Sequence, residues 1–225
     1  MPDPTLQVSL LTPSEAEQYM LVRHETFRNT VNKILYPRGE PSQKTLDRVT
    51  SEIRDGITNK GILFLKCVDT TTNTIVAGAR WRYVKPTNPD AKQRTWAEVD
   101  AGLVNHLDPY DESDPALLTA LYDLFNVHQR KVLETQPHYI LDTLVTLPQH
   151  ERRGAGSMLV GWGCAKADEA GVVAYLEASL IAAPMYARHG FEAVGELELD
   201  LRKFGGDEEM RFIAMLRPAK KVDGV

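Results

Sequence analysis

The feature that most constrains this chain lies between Ile140 and Ser179. There ILDTLVT (Ile140 to Thr146) is followed by HERRGAGSMLVGWG (His150 to Gly163) and then by VAYLEAS (Val173 to Ser179). The first and last stretches have the apolar, β-branched character of strands, and the middle one has the small and apolar residues of a helix running from Ser157 to Ala170. Gly171 stands where a helix stop belongs. The order is strand, turn, helix, strand.

The turn itself, Arg152-Arg153-Gly154-Ala155-Gly156, opens a helix. A helix start presents N–H groups without intrahelical acceptors and the positive end of the macrodipole. Gly154 and Gly156 allow close approach of a ligand, and the two arginines add charge. By themselves these residues fit an anion site and an ordinary strand-to-helix turn about equally well. A Walker A loop is excluded because no Lys-Ser or Lys-Thr follows the glycines. A dinucleotide loop is a closer rival. Gly154-Ala155-Gly156 supplies Gly-x-Gly, and Glu177 follows 23 residues beyond Gly154, near the place of a ribose-binding acid. Against it, Leu159 replaces the third glycine, and six residues lead from Pro148 to Gly154.

The remainder of the chain reads as alternating elements. Thr12 as N-cap and Pro13 at N1 open an amphipathic helix to Phe27. A polar stretch follows, helical around Leu46 to Ile57. Ile62 to Val68 and Ile75 to Val84 flank DTTTNT and predict a hairpin turning near Thr72 and Asn73. Lys85 to Arg94 is a loop, and Trp96 to Tyr110 carries no clear pattern. DPYDESDP (Asp108 to Pro115) lacks the glycine and final glutamate of an EF-hand. It reads as a solvated acidic loop ending in an N-cap at Asp114, with a helix from Pro115 to about Leu133. After Ser179 come a short helix from Pro184 to His189, stopped by Gly190, and strands Ala193 to Leu201 and Glu209 to Leu216 around KFGGDE. A short polar end, Ala219 to Val225, closes the chain.

Composition narrows the function class. With 225 residues, 43% of them hydrophobic, the chain can bury a substantial core. The net charge of -5 argues against broad nucleic-acid binding, since neutralising many phosphates needs a basic face rather than one Arg pair. No membrane span or signal peptide is expected, since apolar runs are short. Cys67 and Cys164 are far apart and read as buried thiols of a cytoplasmic protein. The six histidines have no metal-ligand spacing, so no metal is expected. Ser157 is outside any Gly-x-Ser-x-Gly elbow.

The segment LDTLVTLP, ERRGAG and the helix after it resembles the pyrophosphate loop of the GNAT superfamily of acyl-CoA N-acyltransferases. That pattern is Gln/Arg-x-x-Gly-x-Gly/Ala after a strand and a Pro-containing turn. Glu151 departs from it, standing where Gln or Arg is usual. YLEASLIAAPMYARHGFE (Tyr175 to Glu192) resembles the family's second signature. The long helical stretch between Val84 and Ile140 looks like that of fungal members.

The resemblance implies one α/β (α+β) domain over residues 1–225, with a helical insertion at about 85–139. Its mixed, mostly antiparallel sheet would be splayed between two parallel strands, with helices on both faces. It implies acetyl-CoA as co-substrate, a small-molecule or peptide amine as acceptor, and a monomer or homodimer. Leu144, Val145 and Thr146 would pair with the pantetheine arm. The N–H groups of Arg152, Arg153, Gly154, Ala155, Gly156 and Ser157 would hold the pyrophosphate. Tyr186 would protonate the departing thiolate. Glu98, Asp100, Asp142 and Glu177 are the candidate bases. Glu98 is preferred because Trp96, Glu98 and Asp100 share a face if that stretch is extended. Many relatives also work through a water chain. A catalytically idle acyl-CoA-binding module and an NAD(P)-binding oxidoreductase are the alternatives.

Overall fold

The computed structural model describes residues 3–103 and 108–220, so the last five residues of the polar end lie outside it. Seven strands and seven α-helices follow one another along the chain: β1 (Leu6–Leu10), α1 (Ala16–Phe27), α2 (Asn32–Leu35), α3 (Gln43–Thr58), β2 (Leu63–Asp69), β3 (Thr74–Val84), α4 (Trp96–Gly102), α5 (Pro115–Leu133), β4 (His138–Thr146), α6 (Ala155–Ala170), β5 (Val173–Ser179), α7 (Ala183–Ala187), β6 (Glu192–Asp200) and β7 (Glu209–Arg217), counted among the described residues. The strand order is β1-β2-β3-β4-β5-β7-β6. The β1–β2, β2–β3, β5–β7 and β6–β7 pairs are antiparallel, and β4 leads to β5 through helix α6. Such a helical crossover is what parallel strands require. A mixed, mostly antiparallel sheet of this order is not the doubly wound parallel sheet of a dinucleotide-binding domain.

The chain forms two compact units. The first comprises Met1–Arg82, Pro109–Asp114 and Leu141–Trp162, and the second Tyr83–Asp108, Pro115–Ile140 and Gly163–Val225.

In the first unit, α1 and α3 share a core with β2 and β3 built on Tyr19, Met20, Val22, Val49, Ile53 and Phe64. α3 buries Thr45, Val49, Thr50, Ile53 and Gly56, one stripe of an amphipathic helix. Tyr19 meets Phe64 edge-on with ring centroids 5.3 Å apart. Gly78 is required there, because a Cβ would collide with the Tyr19 ring. The entry to α1 follows expectation at Thr12. Its N–H donates to the Glu15 carboxylate at 2.9 Å, and the first turn from Pro13 to Glu15 is 3-10 in form.

The acidic run around Tyr110 differs from the solvated loop the sequence predicts. Glu112 accepts from the Ser42 N–H at 2.8 Å and the Thr45 hydroxyl at 2.6 Å, so its charge sits at the start of α3, where the macrodipole favours it. Ser113 is buried and donates to the Leu35 carbonyl at 2.7 Å. The strand β1 was not visible in the sequence, since TLQVSLL is short and follows two prolines.

In the second unit, α5 covers β5, β6 and β7 through Leu133, Tyr175, Leu197 and Ala214, with Phe125 edge-on to Phe212 at 5.3 Å. Gly171 and Gly190 adopt positive φ, 64° and 85°, at the ends of α6 and α7. Arg217 at the end of β7 grips Asp168 of α6 with two bonds, 2.7 and 3.0 Å. α6 begins at Ala155, two residues before the expected Ser157. The stretch from Trp96 is helical.

Candidate active site

β4 ends at Thr146, and the next N–H, that of Leu147, donates to the Val76 carbonyl of β3 at 2.9 Å. Successive strand N–H groups alternate in direction, so that of Thr146 points away from β3. Pro148 opens a single 3-10 turn to His150. Arg152 then takes φ 63° and Gly154 φ 95°. The first conformation costs a non-glycine residue about 1–2 kcal/mol and the second is open in practice to glycine alone. α6 starts immediately afterwards, and its first internal bond runs from the Met158 N–H to the Gly154 carbonyl at 3.0 Å. The N–H groups of Ala155, Gly156 and Ser157 have no carbonyl one turn below them within the helix. Ala155 is buried, while Gly154, Gly156 and Ser157 are half-buried. A donor array at the positive end of a sixteen-residue helix, reached over a glycine, is chemically suited to a pyrophosphate. Glu151 is exposed.

The two arginines have different roles. Arg152 is exposed. The Arg153 guanidinium, expected to add charge for a phosphate, is held within the protein. It donates to Asp3 Oδ2 at 2.8 Å and to Thr5 Oγ1 at 2.9 Å, and lies 2.7 Å from Asp69 Oδ2 and 2.8 Å from His150 Nδ1. Its carbonyl also accepts the Asp3 N–H at 3.0 Å. Arg153 therefore ties the loop to the N-terminal turn and to the β2–β3 turn. Spacing along one strand cannot reveal such a tie, because both acids are distant in sequence.

Hydrogen bonds from Thr5 and then Arg153 hold the Asp3 carboxyl down at about 2, and bonds from Thr71 and Arg153 do the same for Asp69. Carboxyls lowered in the folded state stabilise it above their unfolded value of about 4 and lose that contribution as pH falls toward 2. Arg153→Met is accordingly expected to lower the melting temperature at pH 7 by a few degrees and to flatten its fall between pH 4 and 2, as followed by circular dichroism. An unchanged acid limb would show that the ties contribute nothing.

Tyr186 sits on α7, buried, edge-on to Phe191 with centroids 6.0 Å apart. Burial alone raises its phenol above the ordinary value, so it stays protonated at neutral pH and can serve only as a proton donor.

The candidate bases are engaged elsewhere. Glu98 does not lie on an extended strand but at the third position of α4, in a capping box with Thr95. Its carboxylate accepts from the N–H of Thr87 at 2.7 Å and of Thr95 at 2.6 Å. Those bonds, with the Thr87 side chain first, hold it at about 2, well below what a base needs. The helix also removes the shared face expected of Trp96, Glu98 and Asp100, since Glu98 lies across the helix from the other two. Asp100 pairs with Arg130 at 2.8 Å, and Arg130 lies 4.5 Å over the Trp96 ring. Asp142 receives two bonds of 2.7 Å from Arg82. Glu177 accepts from Gln129 Nε2 at 2.9 Å. Sequence reasoning missed these partners because Thr87, Arg130, Arg82 and Gln129 all come from other elements.

Cys67 and Cys164 are buried free thiols, both pushed up to about 11 by burial. Among the described residues, no helix is long and apolar enough to cross a membrane, and no group of three His, Cys, Asp or Glu is placed to hold a metal.

The strand order, with the glycine turn that opens α6, is that of the GNAT fold. Residues 85–191 match the family model described as the Acetyltransferase (GNAT) family, and the match includes the α4–α5 stretch. Solved structures with this fold include a mosquito arylalkylamine N-acetyltransferase like 5b, at TM-score 0.63 and 13% identity, covering 94% of this chain and 99% of that one. A Drosophila melanogaster polyamine N-acetyltransferase that forms N-acetylagmatine gives TM-score 0.61 and 14% identity, covering 94% and 98%. A Corynebacterium glutamicum structure described as histone acetyltransferase HPA2 and related acetyltransferase gives 0.56 and 19%, covering 98% and 99%. No protein of curated function matches the chain in sequence.

Proposed function

We propose that the chain is an acetyl-CoA-dependent N-acetyltransferase that passes the acetyl group to a primary amine by direct attack. The observation that carries this is the turn at Arg152 and Gly154, which follows β4 and opens α6, whose first N–H groups lack acceptors within the helix. The family match and the fold shared with N-acetyltransferases support the same reading. In it, the whole chain acts as one N-acetyltransferase domain, in the cytoplasm.

The N–H groups of Gly154 to Ser157 hold the pyrophosphate, with Arg152 free to swing toward it and Arg153 positioning the loop through its ties. The main chain of Leu144 to Thr146 lines the pantetheine arm, and an N–H there polarises the thioester carbonyl. Attack of the neutral amine on that carbonyl gives a tetrahedral oxyanion. Its collapse breaks the C–S bond, and the Tyr186 hydroxyl delivers a proton to the thiolate. Glu98 is committed to the α4 cap, so the amine loses its proton through water in this scheme.

Thermal melting tests the cofactor side directly. Acetyl-CoA at about a hundred times its Kd should add about 2.7 kcal/mol and raise Tm by about 5–10 °C, while NAD(H) should leave it unchanged. A shift with NAD(H) alone would overturn the assignment.

A further inference from the structure

Charge in the first unit is unevenly placed around Tyr19. Tyr19 is fully buried, yet its hydroxyl has no hydrogen-bond partner among the described residues. Gly78, Arg80 and Arg82 alternate along β3 on the face that meets this ring. Arg80 Nε is likewise buried without a hydrogen bond, lying 3.5 Å from Asp142, whose carboxylate is already forked by Arg82. One helical turn after Tyr19, Arg23 is half-buried, its guanidinium 5.9 Å above the Phe27 ring. Among the described residues no carboxylate pairs with it.

The nearby acids do not redress this. Glu52 accepts the Tyr110 hydroxyl at 2.7 Å and pairs with Arg48, and Glu15 pairs with Lys66. Arg80 and Arg82 thus share Asp142, and Arg23, one turn along α1 from the unsatisfied Tyr19 hydroxyl, adds another positive charge. The orphaned Arg80 Nε is a donor and the orphaned Tyr19 hydroxyl can donate as well as accept, and an orphaned buried polar atom is costly unless something completes it. A carboxylate has only acceptor oxygens and takes two or more such donors at once. A cationic polyamine would bring more donors to a site that already has an excess.

We propose that Arg23, Arg80 and the Tyr19 hydroxyl seat a carboxylate of the acceptor, which makes the substrate an amine of the amino-acid class. The seat rests on the acyltransferase reading only for what happens to that ligand, not for whether it binds.

The test uses the full chain with α-amino acids and their matching amides, which keep the amine and lack the carboxylate. Calorimetry is expected to favour each acid over its amide by at least about tenfold, since charge-assisted bonds are lost in the amide. Arg23→Gln and Tyr19→Phe should bring that ratio toward one, and Arg23→Lys should retain part of it. In assays of CoA release the same variants should raise KM for the acid far more than they lower kcat. Equal affinity for acid and amide, or a preference that survives in a folded Arg23→Gln or Tyr19→Phe chain, overturns the proposal. Should acids bind through Arg23 while no acceptor is acetylated, the seat stands and the acyltransferase reading falls. Should amides be acetylated as well as acids, the seat falls and the acyltransferase reading stands.

Discussion

Gly154→Glu is expected to weaken acetyl-CoA binding by at least about a hundredfold while leaving the chain folded. Two effects add. A side chain at φ 95° costs about 1–3 kcal/mol of backbone strain, which the loop can relieve by moving its N–H groups off the ligand. A carboxylate at the start of α6 also competes for the positive end of the helix and repels phosphate. A hundredfold loss corresponds to about 2.7 kcal/mol, well within the sum. Gly154→Ala isolates the strain and should give a smaller loss. Titration calorimetry with acetyl-CoA reads the affinity, and circular dichroism reads the fold. Unchanged affinity in a folded Gly154→Glu chain would remove the loop from the site.

Tyr186→Phe should lower kcat for CoA release by about 10²–10³-fold at an unchanged KM for acetyl-CoA, because positioned proton donors contribute about that much. The change removes one oxygen from a ring that keeps its packing on Phe191, so stability should move by about 1 kcal/mol or less. A KM effect alone would mean that the ring shapes the pocket and water protonates the thiolate. If the unaltered protein binds acetyl-CoA but acetylates no amine, the idle binding module becomes the better description.

How much was legible in the sequence differs from element to element. Local signals held where local physics decides. Thr12 and Pro13 marked a helix start, Asn73 and the threonines around it marked the β2–β3 turn, and Gly171 and Gly190 marked helix ends by the positive φ they adopt. The Gly-Ala-Gly turn lay where α6 begins, although the helix starts at Ala155 because Gly154 is already its cap. Trp96 to Gly102 escaped because a seven-residue helix shows barely two turns of periodicity. β1 escaped because a short edge strand has little to distinguish it from a loop.

The charged residues tell the opposite story. From the sequence, Arg153 belonged to a phosphate and Glu98 to a base. In the structure Asp3 and Asp69 hold the first, and the Thr87 and Thr95 N–H groups hold the second. Glu112, read as solvated, caps α3 from a segment 67 residues away from Thr45.

The sequence by itself determined the order of elements, the turn that opens α6 and the family it resembles, because caps, glycines and periodicity act over a few residues. Only the tertiary structure decided which charges are engaged and which remain to meet a ligand. A side chain's charge acts on whatever folding brings within a few ångströms, and that distance is set by the packing of strands and helices rather than by separation along the chain.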